Sequence, residues 1–211
     1  MKRQITILLI LFTLVYIIPK NTEVKLANIE TNEPEIVTET PEKNIVVTSR
    51  SGVREPAKVE KIYNVDMNTN LTTKSNVDIV EYQKMLEGTA LYEIAESLYN
   101  SEQKYGVNGL YLMGLACLES AYGKSDFARK RNNIVGWNAV DSNPGKASYF
   151  NSKSECIDFV AGKLKKNYLT ENGCYFSGYT AKDIDKHYCT DKQHANKIIN
   201  IIKNLEKKLD I

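Results

Sequence analysis

The chain has 211 residues, and its 28 Lys and Arg residues against 26 Asp and Glu residues give a formal net charge of +2. This length fits one domain with extra segments, or two small domains. The near-balance of charge excludes a strongly basic nucleic-acid-binding protein and a strongly acidic tail protein, so no nucleic-acid partner is predicted.

The first 20 residues have the pattern of an export signal. Lys2 and Arg3 precede an uncharged, mostly apolar run from Ile5 to Ile18, and a basic start before such a run is typical of exported proteins. The run is short for a membrane span of about 20 residues, yet no small-residue cleavage site follows it. We expect residues 4–19 to stay in the cytoplasmic membrane as an anchor, with the rest of the chain outside. The alternative is cleavage and secretion to the cell wall.

Residues 21–75 are predicted to form an extended or disordered spacer. The stretch is rich in Thr, Asn, Glu and Lys, contains Pro34, Pro41 and Pro56, and has no helical stripe of apolar residues. Such a composition buries too little apolar surface to order the chain. One folded domain is therefore predicted over residues 76–211.

Apolar residues at helical spacing predict the elements of this domain. They lie in Val80–Leu86, Ala90–Tyr105, Leu110–Tyr122, Lys153–Tyr168 and His194–Leu209, and this spacing is typical of amphipathic helices. Residues 132–149 are short and irregular, and we expect short strands there around the Asn143-Pro144-Gly145 turn. The predicted fold class is α+β, mainly α, with a small β-hairpin lobe.

The four cysteines and two histidines do not form a metal-binding pattern. Cys117 and Cys156 fall within apolar helical patterns and resemble buried core residues, whereas Cys174 and Cys189 lie in loop-like sequence and could pair. No Cys-x-x-Cys motif is present, so neither a zinc site nor a cofactor is predicted.

Glu119 is the first candidate for a catalytic residue. It follows the apolar run Leu110–Leu118 and continues the stripe of Leu115 and Ala116, so we expect it to be buried at the end of a helix. Desolvation and the negative end of the helix dipole both favour the protonated carboxyl group, which a general acid requires. The alternative is a solvated glutamate at a frayed helix end.

Four motifs in order resemble the bacterial cell-wall endo-β-N-acetylglucosaminidases of glycoside hydrolase family 73, which have a lysozyme-like fold. They are Tyr105-Gly-Val-Asn108, Leu118-Glu119-Ser-Ala-Tyr-Gly-Lys-Ser125, Asn132-Asn-Ile-Val-Gly-Trp137 and Tyr188-Cys-Thr-Asp191. The resemblance runs from about residue 86 to residue 205. It implies an autolysin-type enzyme that hydrolyses the β-1,4 bond after N-acetylglucosamine in peptidoglycan glycan strands.

The same resemblance implies roles for individual residues. Glu119 is the proton donor, and Tyr188 faces the cleft close to it. Trp137, Asn133, Tyr122, Tyr149 and Tyr175 are the predicted substrate-binding residues, the aromatic ones because flat rings suit the faces of sugars. His194 stands where the family more often has an aromatic residue, so we interpret it as packing on the last helix.

The sequence contains several candidates for the second catalytic group. Asp141 is the first choice among Asp141, Glu155 and Asp191, while Ser152 and Glu155 have the pattern of a capping box. The substrate's own acetamido group is a third route. The alternatives for the whole protein are a muramidase or lytic transglycosylase on the same fold, or a non-enzymatic wall-binding scaffold. No binding repeats are visible, so targeting is expected from the anchor or a membrane partner protein.

Overall fold

A computed structural model of the chain describes residues 60–139 and 146–209. Its helices are α1 (Ile79–Leu86), α2 (Ala95–Tyr105), α3 (Gly109–Ser120), α4 (Asp126–Arg131), α5 (Lys153–Tyr168), α6 (Ala181–Tyr188) and α7 (His194–Glu206). Short 3-10 turns cover Tyr92–Ile94 and Lys207–Leu209. The predicted mainly helical architecture is therefore confirmed. The predicted anchor lies outside the described residues.

Helix α3 is the most deeply buried helix of the domain. Every residue from Gly109 to Cys117 is buried, because a segment that is apolar on all sides must be covered by its neighbours. Helix α7 packs along it where Gly114 leaves room: a Cβ at this position would come within 2.8 Å of Ile202 and 2.9 Å of Ile198. The missing side chain thus lets α3 and α7 approach closely, and these two helices carry Glu119 and His194.

Helix α6 was not among the predicted helices, because its sequence Ala-Lys-Asp-Ile-Asp-Lys-His-Tyr is mostly polar. It begins with a capping box, in which Thr180 and Asp183 bind each other's backbone amides. Only Ala181 and Ile184 of its residues are fully buried. The helix is therefore a short, surface-lying element whose start is fixed by hydrogen bonds more than by apolar burial.

Residues 60–78, which we call the lead-in segment, pack against the helices. Leu71 is fully buried, and its carbonyl oxygen accepts a 2.8 Å hydrogen bond from the Asn108 amide. Glu102 of α2, also fully buried, accepts hydrogen bonds from the Ser75 amide at 2.7 Å and the Ser75 hydroxyl at 3.1 Å. The sequence predicts a spacer up to residue 75, whereas from residue 60 onward the chain is part of the folded domain.

The predicted β-hairpin lobe is wrong for the part of residues 132–149 that the structure describes, where no strand is present. Asn132, Gly136 and Asn138 have positive φ angles of 52°, 64° and 58°, and left-handed residues interrupt an extended strand. Asn133 also competes for backbone groups, since its side chain accepts from the Trp137 amide at 2.8 Å and donates to the Trp137 carbonyl at 2.9 Å. The segment is a turn-rich loop.

Across residues 60–139 and 146–209, no helix combines the length and the apolar character that crossing a membrane requires.

Candidate active site

The end of α3 places Glu119 through a run of left-handed residues. Ala121, Tyr122 and Gly123 have φ angles of 50°, 57° and 82°, so the chain turns away directly after the helix. Ser120 fixes this turn, because its hydroxyl donates to the Ala116 carbonyl at 2.6 Å and accepts from the Gly123 amide at 2.7 Å. Two non-glycine residues in this conformation are costly, and the turn therefore indicates a constrained position rather than a frayed helix end.

Gly123 is required by space as well as by its backbone angle. A Cβ at this residue would lie 2.9 Å from the carbonyl oxygen of Ala90, which is backbone and cannot move aside cheaply. The amide of Ala90 in turn donates to the Tyr122 carbonyl at 3.2 Å. The turn after Glu119 is thus packed against the segment that precedes α2.

Glu119 itself is almost entirely buried. Only 8% of its side chain is exposed, and its Oε1 atom lies 2.9 Å from Nε2 of His194. The buried position agrees with the apolar stripe that the sequence shows. The contact with His194 was not predicted, because His194 was interpreted as a packing residue of the last helix.

His194, the first residue of α7, links two carboxyl groups. Its Nδ1 atom lies 2.8 Å from Oδ1 of Asp185, while Nε2 faces Glu119. Burial by itself lowers the pKa of His194, but the hydrogen bonds to Asp185 and Glu119 outweigh this effect and raise it to about 10. The side chain is therefore a protonated imidazolium that donates from both nitrogens across the neutral pH range.

Asp185 of α6 is the third member of a hydrogen-bonded series that runs from Glu119 through His194 to Asp185. Its Oδ2 atom accepts a 2.6 Å hydrogen bond from the backbone amide of Ala195, one of the free amides at the start of α7. Asp185 was missed by sequence reasoning. A signal was present, since Ala181, Ile184, Asp185 and Tyr188 lie at the three-and-four spacing of one helix face, and a carboxylate on such a face needs a buried partner.

Tyr188 is placed beside the same group. Its ring stacks on the imidazole of His194, with centroids 5.5 Å apart and an angle of 26° between the planes. Burial and the nearby Glu119 carboxylate raise the pKa of Tyr188 well above its usual range. The phenol therefore stays neutral and keeps a proton that it can donate. The sequence predicted Tyr188 near Glu119, and the structure brings the two residues into one cluster.

Further aromatic rings extend from Tyr188 toward the surface. Tyr168 lies 6.0 Å from Tyr188 between ring centroids, Tyr175 lies 5.1 Å from Tyr168, and His187 lies 5.7 Å from Tyr175. Of these, Tyr175 was predicted to bind substrate. It is half-buried, and its ring contacts those of Tyr168 and His187.

The loop residues Trp137 and Asn133 have structural contacts in addition to their predicted substrate roles. Trp137 packs edge-on against Phe159 of α5 at a centroid distance of 5.1 Å. Asn133 is 1% exposed, and its amide group binds the backbone of Trp137 and Ser148. Asn133 therefore shapes the loop that carries Trp137, and a direct contact of either residue with substrate stays a prediction.

The two other predicted substrate-binding tyrosines, Tyr149 and Tyr122, differ in their exposure. Tyr149 is 71% exposed, and the guanidinium group of Arg131 stacks 4.6 Å above its ring. Tyr122, in the turn after Glu119, is half-buried. Burial raises the pKa of Tyr122, so its phenol is neutral. The ring of Tyr149, in contrast, is exposed and oriented by the Arg131 guanidinium group, which suits it to stacking on a sugar.

Asp141 lies outside the described residues. In the described part of the chain, no three or more His, Cys, Asp or Glu side chains are grouped as metal ligands. Cys174 and Cys189 are both free thiols, the first exposed and the second half-buried.

Comparisons with known proteins place this site in a family. The family model described as mannosyl-glycoprotein endo-beta-N-acetylglucosaminidase matches residues 95–207, a region that includes Glu119, Asp185, Tyr188 and His194. Curated relatives from two strains of Streptococcus pneumoniae, each named as an endo-beta-N-acetylglucosaminidase, are 27% identical over 155 residues. The match covers 71% of this chain but only 23% and 22% of the two relatives, so the chain spans less than a quarter of their length.

Solved structures of Staphylococcus aureus Autolysin E share the fold. A catalytic Glu-to-Ala mutant in complex with the disaccharide NAG-NAM superposes with a TM-score of 0.56 at 22% identity, covering 71% of this chain and 76% of that one. A complex of the same protein with the muropeptide NAM-L-Ala-D-iGlu gives a TM-score of 0.56 at 23% identity, covering 69% and 74%. The family match, which extends over more than half of the sequence, establishes that this chain belongs to the glucosaminidase family of glycoside hydrolases.

Proposed function

We propose that this protein hydrolyses the β-1,4 bond after N-acetylglucosamine in peptidoglycan glycan strands, with Glu119 as the general acid. The observation that carries the proposal is the position of Glu119. It is a carboxyl group with 8% of its side chain exposed, fixed by a constrained turn at the end of α3, within the region that the family model matches. The peptidoglycan fragments bound by Autolysin E support the substrate class.

In the proposed reaction, Glu119 donates its proton to the glycosidic oxygen as the bond to the anomeric carbon breaks. The carboxylate that remains then takes a proton from the incoming water. Tyr188 supports this chemistry, because its neutral phenol lies in the same cluster and can donate a hydrogen bond to a sugar substituent or to the water. Its proposed role is to orient the reacting sugar.

The second catalytic group is proposed to be Asp141 or the acetamido group of the substrate. Among the described carboxylates, Asp185 is the one joined to Glu119 through His194, but both of its oxygens are engaged, by His194 and by the Ala195 amide. Its oxygens are therefore not free to attack an anomeric carbon.

The other two carboxylates considered are at helix starts. Glu155 accepts a hydrogen bond from the Asn151 amide, while the Ser152 hydroxyl accepts from the Glu155 amide. Asp191 binds the Gln193 amide and forms an ion pair with Lys197. Both have the contacts of capping residues, which favours Asp141 or the acetamido group.

We further propose that the domain acts outside the cytoplasmic membrane, as the basic and apolar residues 1–20 suggest. Residues 4–19 would attach the protein to the membrane, and a membrane partner protein could direct it on the wall. Labelling the intact cells with a membrane-impermeant reagent tests the location, and the mass of the mature N-terminus tests retention of the segment.

The activity is tested by digesting purified peptidoglycan with the full-length protein, reducing the products with borohydride and identifying the new terminal sugars by mass spectrometry. Reduced N-acetylglucosamine ends are expected. Glu119→Gln should abolish them, whereas Glu96→Gln, a matched change at an exposed glutamate of α2, should not.

Other products would contradict the proposal in specific ways. Reduced N-acetylmuramic acid ends would indicate a muramidase, and anhydro ends would indicate a lytic transglycosylase. Wild-type protein that binds peptidoglycan but produces no ends would favour a wall-binding scaffold. Asp141→Asn separates the two candidate second groups, because it should leave a substrate-assisted reaction largely intact.

A further inference from the structure

The chemistry proposed for Glu119 needs a carboxyl group whose two oxygens have different tasks. One oxygen must present the proton to the glycosidic oxygen, and the group must then stay in place as a carboxylate. In the structure Oε1 is occupied by Nε2 of His194 at 2.9 Å. Within residues 60–139 and 146–209, Oε2 has no hydrogen-bond partner, so the two oxygens are already distinguished.

We propose that His194 is a positioning residue for Glu119. It holds Oε1, so that Oε2 presents the proton, and its positive charge stabilises the carboxylate that proton transfer leaves behind. The inference rests on the proposed role of Glu119 as the general acid. It assigns a function to a residue that differs from the aromatic residue expected at this position from the family resemblance.

The imidazole ring is itself fixed by its surroundings. Asp185 accepts from Nδ1 at 2.8 Å, and the same carboxylate is fixed through its 2.6 Å contact with the Ala195 amide. The ring of Tyr188 stacks on one face. With 6% of its side chain exposed, His194 has little freedom to rotate, and the position of Oε1 is therefore determined by α6 and α7 together.

The charge of His194 follows from the same contacts. Two carboxyl groups lie against its two nitrogens, and a neutral imidazole could donate to only one of them. The titratable groups around the cluster are Glu119 and Tyr111 from α3, Tyr168 from α5, Asp185 and Tyr188 from α6, and Asp191 from the segment before α7. Lys182, Lys186 and Lys192 line a cavity of about 260 Å³ that Asp185 and Asp191 also line.

Tyr111 provides a second polar group next to the carboxylates. It is fully buried, and its hydroxyl is the one buried side-chain polar atom without a hydrogen-bond partner in the described residues. Burial and the nearby Asp185 and Glu119 raise the pKa of Tyr111 well above its usual range, so this phenol is neutral. Among the described residues, His194 is the one cationic side chain in direct contact with Glu119.

The test compares kcat and KM on peptidoglycan as a function of pH for the full-length protein and its variants. His194→Gln can keep a neutral N–H near Oε1 but removes the charge. We expect kcat to fall about ten- to a hundred-fold, the range for loss of one charge-assisted hydrogen bond. KM should be nearly unchanged, because only 6% of the His194 side chain is exposed for contact with a substrate. Because the variant removes a cation that contacts the reacting carboxyl group, the dependence of kcat on pH should also differ from that of the wild type.

A double mutant separates positioning from general damage. Asp185→Asn should lower kcat in the wild-type background, but it should add little to His194→Gln, because Asp185 acts on Glu119 through His194. Lys84→Gln is the control, since it removes the charge of an exposed residue of α1 outside the site, and it should leave both kcat and the pH profile unchanged. Circular dichroism at the assay temperature verifies that each variant is folded.

Two results would overturn the inference while the proposed function stands. The first is a His194→Gln variant that keeps the wild-type kcat and pH profile. The second is a His194→Gln variant whose loss of kcat is the same at every pH and adds fully to the loss caused by Asp185→Asn. Full activity in Glu119→Gln would instead overturn the proposed function, and the inference with it.

Discussion

Gly114 offers a direct test of how helix packing controls the site. Replacement by alanine adds one Cβ between α3 and α7, at 2.8 Å from Cγ1 of Ile202 and 2.9 Å from Cγ2 of Ile198. Both isoleucines are fully buried, and ordinary carbon–carbon contacts lie at about 3.5–4.0 Å. Helix α7 must therefore move by several tenths of an ångström, or the isoleucines must leave their preferred rotamers.

The expected magnitude follows from two opposing effects. Alanine in a helix interior is about 1 kcal/mol more favourable than glycine, whereas overpacking a well-filled core costs about 1–3 kcal/mol. With two branched, buried neighbours we expect the upper end of that cost, and hence a net destabilisation of about 2 kcal/mol. For a protein of this size the midpoint of thermal unfolding should fall by about 4–8 °C.

Gly162 in α5 provides the matched comparison. A Cβ at this residue would meet the ring of Tyr105 at 3.3 Å, a smaller conflict with a half-buried side chain. Gly162→Ala gains the same helix propensity and should leave the unfolding midpoint unchanged or raise it. Both variants are compared by circular dichroism at 222 nm, with peptidoglycan hydrolysis measured well below the midpoint.

Gly114→Ala should also lower kcat at temperatures where it is folded, because α3 carries Glu119 and α7 carries His194. Ile202→Ala removes the closest contact of the new Cβ, so it should destabilise Gly114→Ala less than it destabilises the wild type. A rise in the midpoint of Gly114→Ala equal to that of Gly162→Ala would refute the packing argument. Normal kcat in a clearly destabilised Gly114→Ala would refute the link between helix spacing and the site.

Two further predictions concern the turn after Glu119 and the charge beside it. Ala121→Gly should stabilise the protein by about 0.5–1 kcal/mol, because Ala121 is exposed with φ at 50° and glycine adopts this conformation without steric cost; a lower unfolding midpoint would contradict this. His194 has a pKa raised from 6.5 to about 10, so its contribution to the free energy of unfolding is full below pH 6.5 and is lost as the pH rises toward 10. The stability difference between wild type and His194→Phe, measured by urea unfolding, should therefore shrink over this interval, and a difference independent of pH would show that the ring is neutral.

The sequence predicts the helices that have a strong apolar periodicity. It also predicts the position of Glu119 at the end of the central helix, α3. Leu110–Leu118 is apolar on all sides, so both the burial of α3 and the position of Glu119 follow from periodicity. Helix α6 could not be found this way, because its first turn is fixed by Thr180 and Asp183 and its exposed face is charged. Short helices held by caps lack the apolar repeat on which such predictions depend.

The relation among Glu119, Asp185 and His194 was also beyond the sequence. Glu119 and His194 are 75 positions apart in the sequence, and Asp185 and His194 are 9 apart. A single sequence, taken by itself, contains no information on which distant polar residues meet. The strand prediction failed for a different reason. Ile134 and Val135 have strand propensity, but the asparagines around them bind the backbone locally, and this side-chain competition outweighs the weak intrinsic preference.

The buried carboxylate of Glu102 has a consequence for where this chain can be divided. Two of its three hydrogen bonds come from Ser75, and the third comes from the Gly109 amide at 2.7 Å. A chain that began at residue 76 would lack Leu71 and Ser75, which would open the apolar interior and leave the buried carboxyl group of Glu102 with a single hydrogen-bond donor, the Gly109 amide. The smallest independently stable unit therefore has to include Leu71 and Ser75, and removal of the chain up to residue 75 should unfold the domain, even though the cut would lie far from Glu119 in the sequence.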